Sequence, residues 1–436
     1  MSLFGDPAAD LNFEPHPNLI SFCKAPPWSQ LLILIPLTVQ CALLHPLFRH
    51  IPLARWTRLI LVAPNVHWCL AISWKYCYTP LELSAEKNMI LSSVTLTLAM
   101  KTIEWGLVKG PYWSRASIVY NGRRQWDPSG AIQTHDLKAG PLEVGFWTFA
   151  QFTTVRGYQF SWGLKSQKYS KPTSQGEIFQ RLLRSHFAFV LATAFLVWMR
   201  DNPKQTVRSV FGYGFSLLVE AIYTLAFGLT ICCAMDMRYS ALQLLSGSLL
   251  RIWPRAPRIV ADYLDPTLHP PVFGNLVKVR SLTEFWGSAW HPLFRHSFIF
   301  CGGSPLAALA KRGGLSLPSQ KWLRGLGVFA ASGFLHEYAL SVFARPPHRN
   351  PYVFPQSTSY LGPAFYFLVQ PFGILLEQRF KSLKGPVWVW IFTLSTATAL
   401  RSSYLSPGRL DASLPPLSSW GWTQWLVPMA LHSSNQ

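Results

Sequence analysis

Two histidines carry the features that chemistry would need. His336 lies in Ala331-Ser-Gly-Phe-Leu-His336-Glu337-Tyr338, inside an otherwise apolar run. Ionisable side chains at membrane depth are costly and call for a reason. An isolated buried histidine often does no more than bond a carbonyl. Here the adjacent Glu337 and the small residues nearby favour a reactive cavity. A desolvated imidazole stays neutral near pH 7 and can accept a proton. The chemistry it suits is general-base removal of a hydroxyl proton. About 45 residues upstream, Ser281-Leu-Thr-Glu284-Phe-Trp286-Gly-Ser-Ala-Trp290-His291-Pro292-Leu-Phe-Arg295 places a second histidine among tryptophans.

Local patterning says how these residues are held. Ser281-x-x-Glu284 is a capping box and should start a short helix. Capping alone accounts for Glu284. Trp286 and Trp290 fall on one face at i, i+4, which also suits an interfacial aromatic belt. Pro292 disfavours helix at His291, so the helix should end there beside a bend. Lys278, Arg280 and Arg295 bracket it. In the second stretch Ser332, Gly333, His336 and Leu340 share one helical face, and Gly333 permits close approach of a neighbour.

The scaffold reads as membrane. Half of the 436 residues are hydrophobic, 13% are charged and 19 are Trp; soluble domains carry about 25% charged residues. The net charge of +20 is explained mostly by the positive-inside bias, with part of it available to a phosphate-bearing cosubstrate. Basic residues sit between apolar runs and form no single patch, which argues against nucleic acid. The seven scattered cysteines read as small buried hydrophobes and not as a disulfide framework or a zinc site.

Residues 1–28 form a polar, Pro-punctuated tail without signal-peptide patterning, and 29–436 read as one polytopic domain. Candidate spans are 29–48, 59–74, 89–108, 182–199, 210–233, 326–343, 360–376, 387–400 and 420–431, with 241–253 as an interfacial segment. Within 89–108, Lys101 and Glu104 read as a self-satisfied ion pair; Glu220 is an isolated acid in 210–233. Residues 109–181 are hydrophilic and basic. They contain Arg156-Gly157 among aromatics, readable as a headgroup-facing segment or as the rim of a site opening. Residues 271–343 carry both histidine motifs. The expected fold is an all-α polytopic integral membrane protein, with about eight to ten transmembrane or re-entrant helices around an intramembrane chamber. The hexapeptide His45-Pro-Leu-Phe-Arg-His50 recurs at His291–His296. Neither flank extends the match, so coincidence is preferred to a structural repeat or a paired metal site.

Glu284-Phe-Trp-Gly-Ser-Ala-Trp-His291 followed by Ser332-Gly-Phe-Leu-His336-Glu337 resembles the wax-synthase-like branch of the membrane-bound O-acyltransferases. The similarity is nearest to fungal members that acetylate terpenoid and meroterpenoid alcohols. The resemblance implies a multi-pass protein of the endoplasmic reticulum in which His336 is the catalytic histidine. His291 would be the second hallmark position, which is Asn in many members. It also implies acyl-CoA, with acetyl-CoA first, as cosubstrate, a hydrophobic alcohol as acceptor, and no bound cofactor or metal. Glu284, Trp286, Trp290, Lys278, Arg280 and Arg295 are the candidates for holding the acyl-CoA. Ser288-Ala289 stands where relatives carry a basic residue. Competing readings are a wax-ester or lipid synthase using long-chain acyl-CoA, a transporter, and a non-catalytic scaffold. The transporter reading is weakened by the lack of two related halves.

Overall fold

The computed structural model describes residues 26–78, 81–120, 123–127, 129–163, 174–201, 204–343 and 361–405. The expected tail up to residue 25, the Pro-rich break at 345–349 and the span at 420–431 lie outside the described residues.

The first apolar run is only partly α-helical. A 3-10 turn, Trp28–Ile33, leads into α1 (Leu34–Ala42), and a second turn, Pro46–Phe48, leads to α2 (Pro52–Ile60). The expected span at 59–74 becomes the end of α2 and then α3 (Val62–Lys75), and α4 (Leu81–Leu107) follows. The hydrophilic stretch is more structured than expected. It contains an antiparallel hairpin of β1 (Ser117–Tyr120) and β2 (Arg123–Trp126), with Ser117 opposite Trp126, and then α5 (Pro141–Thr153). The all-α expectation is corrected to this extent.

Next come α6 (Gln175–Asp201), α7 (Lys204–Ile252) and α8 (Arg258–Leu264). The segment at 241–253, expected to be separate, is the continuation of α7, which runs unbroken for 49 residues. No Pro or Gly pair interrupts 234–252, so nothing in the chain forces a break there. The motif region holds α9 (Leu282–Glu284), α10 (Arg295–Phe298), α11 (Ser304–Arg312) and α12 (Leu317–Phe343). The last two described helices are α13 (Gly362–Arg379) and α14 (Pro386–Tyr404).

Of the expected eight to ten crossings, two described helices are both long and apolar enough to cross a bilayer, Gln175–Arg200 and Leu217–Ile252. The 27-residue α12 is long enough at 1.5 Å per residue, but His336 and Glu337 lower its hydropathy.

Helix α12 is the hub: it packs on α4, α11 and α13, while α13 packs on α14 and α14 on α7. Leu196, Phe227, Phe329, Leu340, Phe367 and Tyr404 form the shared core of α6, α7, α12, α13 and α14. Polar ties reinforce it. Arg401 of α14 is 4% exposed and pairs with Glu220 of α7 at 2.7 Å, so the isolated acid has a partner. The expected Lys101–Glu104 pair does not form. Lys101 Nζ instead donates to the Gln151, Phe152 and Thr154 carbonyls, capping the C-terminus of α5. Glu104 accepts from the Tyr112 hydroxyl at 2.5 Å and lies 3.0 Å from His296 Nε2.

Cys41, Cys69, Cys232, Cys233 and Cys301 are free thiols, the first four buried. Cys77 departs from the cysteine reading. It is disulfide-bonded.

Candidate active site

The first motif is held from both sides. Ser281 Oγ accepts from the Glu284 amide at 2.9 Å, as the capping box requires. The Glu284 carboxylate returns to the Arg280 amide at 2.8 Å, one residue earlier than expected. The Leu282 amide donates to Glu377, a 1% exposed carboxylate on α13. The helix then widens into a π-turn, Phe285–Ala289, closed by the Trp290 amide on the Phe285 carbonyl at 2.7 Å. Trp290 is already extended, so the chain leaves the helix just before His291-Pro292. A hydrophobic pattern does not distinguish a π-turn from an α-turn, so the widening was invisible in the sequence.

A second π-turn, Ile299–Gly303, precedes α11. Pro305 lacks the amide that would close an α-turn there. Gly302 faces Gly327 of α12 so closely that a Cβ on Gly302 would lie 2.1 Å from the Gly327 carbonyl oxygen. This contact sets the motif segment directly against α12.

On α12, Lys321, Arg324, Val328, Ser332 and His336 recur at helical spacing and line one cavity of about 580 Å³. The opposite wall comes from Trp286, Trp290, His291 and Arg295, with Phe367 from α13. The structure therefore brings His291 and His336 into the same cavity. Its size falls in the range of small-molecule sites, about 300–1,000 Å³. From Arg324 to His336 the helix rises about 18 Å, so cations and imidazole occupy different depths.

His336 is fixed on two sides. Its Nδ1 lies 3.0 Å from the Tyr404 hydroxyl oxygen, and its ring stacks on Phe367 at 4.7 Å with an 18° interplanar angle. With the proton on Nδ1 and donated to Tyr404, Nε2 carries the free lone pair. Glu337 turns elsewhere: its carboxylate accepts from the Ala364 amide at 2.9 Å, serving the N-terminus of α13. His291 packs against Trp290 and Phe273, and its buried Nδ1 makes no hydrogen bond within the protein.

The other expected residues divide. Trp286, Trp290 and Arg295 line the cavity, with Trp286 Nε1 anchored on Gln370 at 3.1 Å. Glu284, Lys278 and Arg280 do not line it; the two cations are exposed elsewhere, and Glu284 is the cap. Lys321 and Arg324, which the sequence reading did not single out, line the cavity instead of Lys278 and Arg280. Their signal was the stripe at 321, 324/325, 328, 332 and 336, which ends on the histidine.

Arg156-Gly157 is neither a headgroup-facing segment nor the rim of this cavity. Arg156 is 6% exposed, donates to the Pro270 and Pro271 carbonyls at 2.9 and 3.0 Å, and lies over the Tyr158 and Tyr239 rings. It pins the loop that feeds the first motif, and Gly157 supplies the positive φ of 61° at that corner. The two hexapeptide copies share a turn closed by the arginine amide on the proline carbonyl, at 3.2 and 3.3 Å. Their surroundings differ: His45 packs on Trp147 at 4.9 Å, outside the cavity. Among the described residues, no three His, Cys, Asp or Glu side chains converge as metal ligands.

Residues 269–356, which carry both histidines, match the sequence model of the membrane bound O-acyl transferase family. The chain is 28% identical to acetyltransferase ataH of Aspergillus terreus over 176 residues, 35% of this chain and 53% of that protein. It is 29% identical to an uncharacterized membrane protein of Schizosaccharomyces pombe over 134 residues, 30% of this chain and 31% of that one. The chain thus spans about half the length of the first relative and about a third of the second. No solved structure matches.

Proposed function

For a chain whose motif-bearing segment is that of the membrane bound O-acyl transferase family, we propose an acyl-CoA-dependent alcohol O-acyltransferase embedded in the endoplasmic reticulum membrane. The donor is acetyl-CoA and the acceptor a hydroxyl on a hydrophobic terpenoid or meroterpenoid. One observation carries the reading: His336 and His291 face a single cavity whose lining adds three cations, Arg295, Lys321 and Arg324, and no carboxylate among the described residues. The acetyltransferase name of one relative supports the acetyl donor.

The residues assign the steps. Arg295, Lys321 and Arg324 attract the CoA phosphates, and the acyl arm descends toward His336. The acceptor hydroxyl attacks the thioester carbonyl while His336 Nε2 takes its proton. Tyr404 holds the opposite nitrogen and keeps that lone pair aimed inward. His291, on the cavity wall, donates a ring N–H to the tetrahedral oxyanion. As the C–S bond breaks, the proton on His336 passes to the departing thiolate, giving ester and free CoA thiol.

The test is thiol release from membranes containing the protein. Acetyl-CoA and palmitoyl-CoA are offered separately, with polycyclic terpenoid alcohols and long-chain alcohols, and His336→Ala is the control. Acetyl-CoA turnover with a terpenoid alcohol, absent in the control, is the expected result. Turnover confined to palmitoyl-CoA and long-chain alcohols would reassign the protein to wax or lipid synthesis. Turnover retained in His336→Ala would remove the base from the mechanism. Uptake of a substrate without thiol release would make it a transporter.

A further inference from the structure

A second cavity lies away from the two histidines, where the turn after α1, the start of α2 and the chain after α4 meet. It encloses about 210 Å³. Arg49, Arg55, Arg58 and Lys109 line it, and no Asp or Glu does. None of the four makes an ion pair among the described residues. Four like charges around one concavity repel each other until an anion enters.

The inner wall is built for such an anion. Arg58 is 4% exposed; its Nη1 donates to the Trp105 carbonyl at 2.7 Å, while its buried Nε has no partner. Its Nη2 lies 3.4 Å from the Val108 carbonyl, so the guanidinium is fixed against the end of α4 while its charge borders the cavity. His45 also lines the cavity.

The outer face of α2 indicates where the anion comes from. Leu53, Trp56 and Ile60 are 71%, 62% and 70% exposed on this short helix. A helix with bare apolar side chains beside a basic pocket lies in the membrane interface, at headgroup depth. We propose that this cavity seats the phosphate of an anionic phospholipid while α2 inserts its apolar face among the acyl chains. The site is independent of the acyl-transfer assignment.

The full-length protein in detergent is titrated with phosphatidic acid, phosphatidylcholine or inorganic phosphate, and its thermal unfolding is followed by tryptophan fluorescence. Phosphatidic acid is expected to raise the midpoint and phosphatidylcholine to leave it unchanged. Arg55→Gln/Lys109→Gln, which alters only exposed side chains, is expected to keep the lipid-free midpoint. It should weaken phosphatidic acid binding roughly 25-fold, at about fivefold per basic residue. Lys278→Gln/Arg280→Gln removes the same charge elsewhere and is expected to bind as the parent does. Equal responses to the two lipids, or equal losses in the two double variants, would overturn the pocket. Inorganic phosphate competing at the same concentration as phosphatidic acid would overturn the lipid assignment.

Discussion

The Tyr404 hydroxyl of α14 lies 3.0 Å from Nδ1 of His336 on α12, so the last described helix sets the orientation of the histidine at the centre of the cavity. His336→Ala is expected to lower turnover by about 10²–10⁴-fold, the worth of a general base. Tyr404→Phe keeps the packing against Phe227 and removes one hydrogen bond worth about 1 kcal/mol. It should therefore cost roughly tenfold or less in kcat, with little change in KM. A KM-dominated loss would place Tyr404 in substrate binding instead.

Lys321 and Arg324 are exposed on the lining of the cavity, whereas Lys278 and Arg280 do not line it. Lys321→Gln and Arg324→Gln should each raise the KM for acyl-CoA about two- to fivefold, the size expected of solvent-screened charges. They should leave kcat unchanged, and added salt should shrink the effect. Lys278→Gln/Arg280→Gln should leave both constants alone. Steady-state kinetics at two ionic strengths decides this.

The Arg401–Glu220 pair joins α14 to α7, with Arg401 also lying over the Tyr223 ring at 4.2 Å. Removing one partner of a buried pair costs about 3–5 kcal/mol. Glu220 retains some exposure, so the lower end is expected for Arg401→Leu. Arg401→Leu/Glu220→Leu should recover most of the loss. Unfolding midpoints of the two variants in detergent make the comparison; an unrecovered double variant would mean that the arginine works through packing alone.

Gly302→Ala would drive a methyl group into the Gly327 carbonyl oxygen, 2.1 Å from the ideal Cβ position. Backbone on both sides leaves no flexible side chain to yield, so the cost should reach or exceed the 1–3 kcal/mol typical of overpacking. The unfolding midpoint should fall and the activity with it. Gly325, whose Cβ position opens into the cavity, should keep its unfolding midpoint when changed to Ala.

His269 links pH to stability. Burial, with Arg156 adding to it, holds the imidazole down at about 4 from an ordinary 6.5, next to the Tyr263 carbonyl. The unfolded chain takes up a proton as pH falls below about 6.5, while the folded chain does not until about 4. The stabilising contribution is therefore complete above about pH 6.5 and is lost progressively between there and pH 4. His269→Gln should flatten the acid limb of midpoint against pH by about one proton's worth, near 1.4 kcal/mol per pH unit. An unchanged limb would assign the acid sensitivity to other buried groups.

The sequence alone determined whatever rests on local rules. Ser281 and Glu284 announced a helix start, Pro292 announced its end, and the cost of placing His336 in an apolar run singled it out as a residue facing a cavity. Those rules depend on neighbours a few residues away, so they can be read along the chain. Tertiary structure alone decided what depends on partners far apart in sequence. Lys101 abandoned Glu104 for the carbonyls of α5 because a helix C-terminus offers a buried ammonium three acceptors. Arg156 became a clamp on the 270–271 loop, and Glu337 and Glu377 became caps for helices that begin elsewhere. The cations of the cavity changed from Lys278 and Arg280 to Lys321 and Arg324, because the stretch before Ser281 turns outward while α12 points its first turns at the opening. Composition fixes how much charge and apolar surface a chain carries. Only the packing of α4, α11, α12, α13 and α14 determines which charges face the two histidines, since facing is a property of three-dimensional neighbours and not of spacing along the chain.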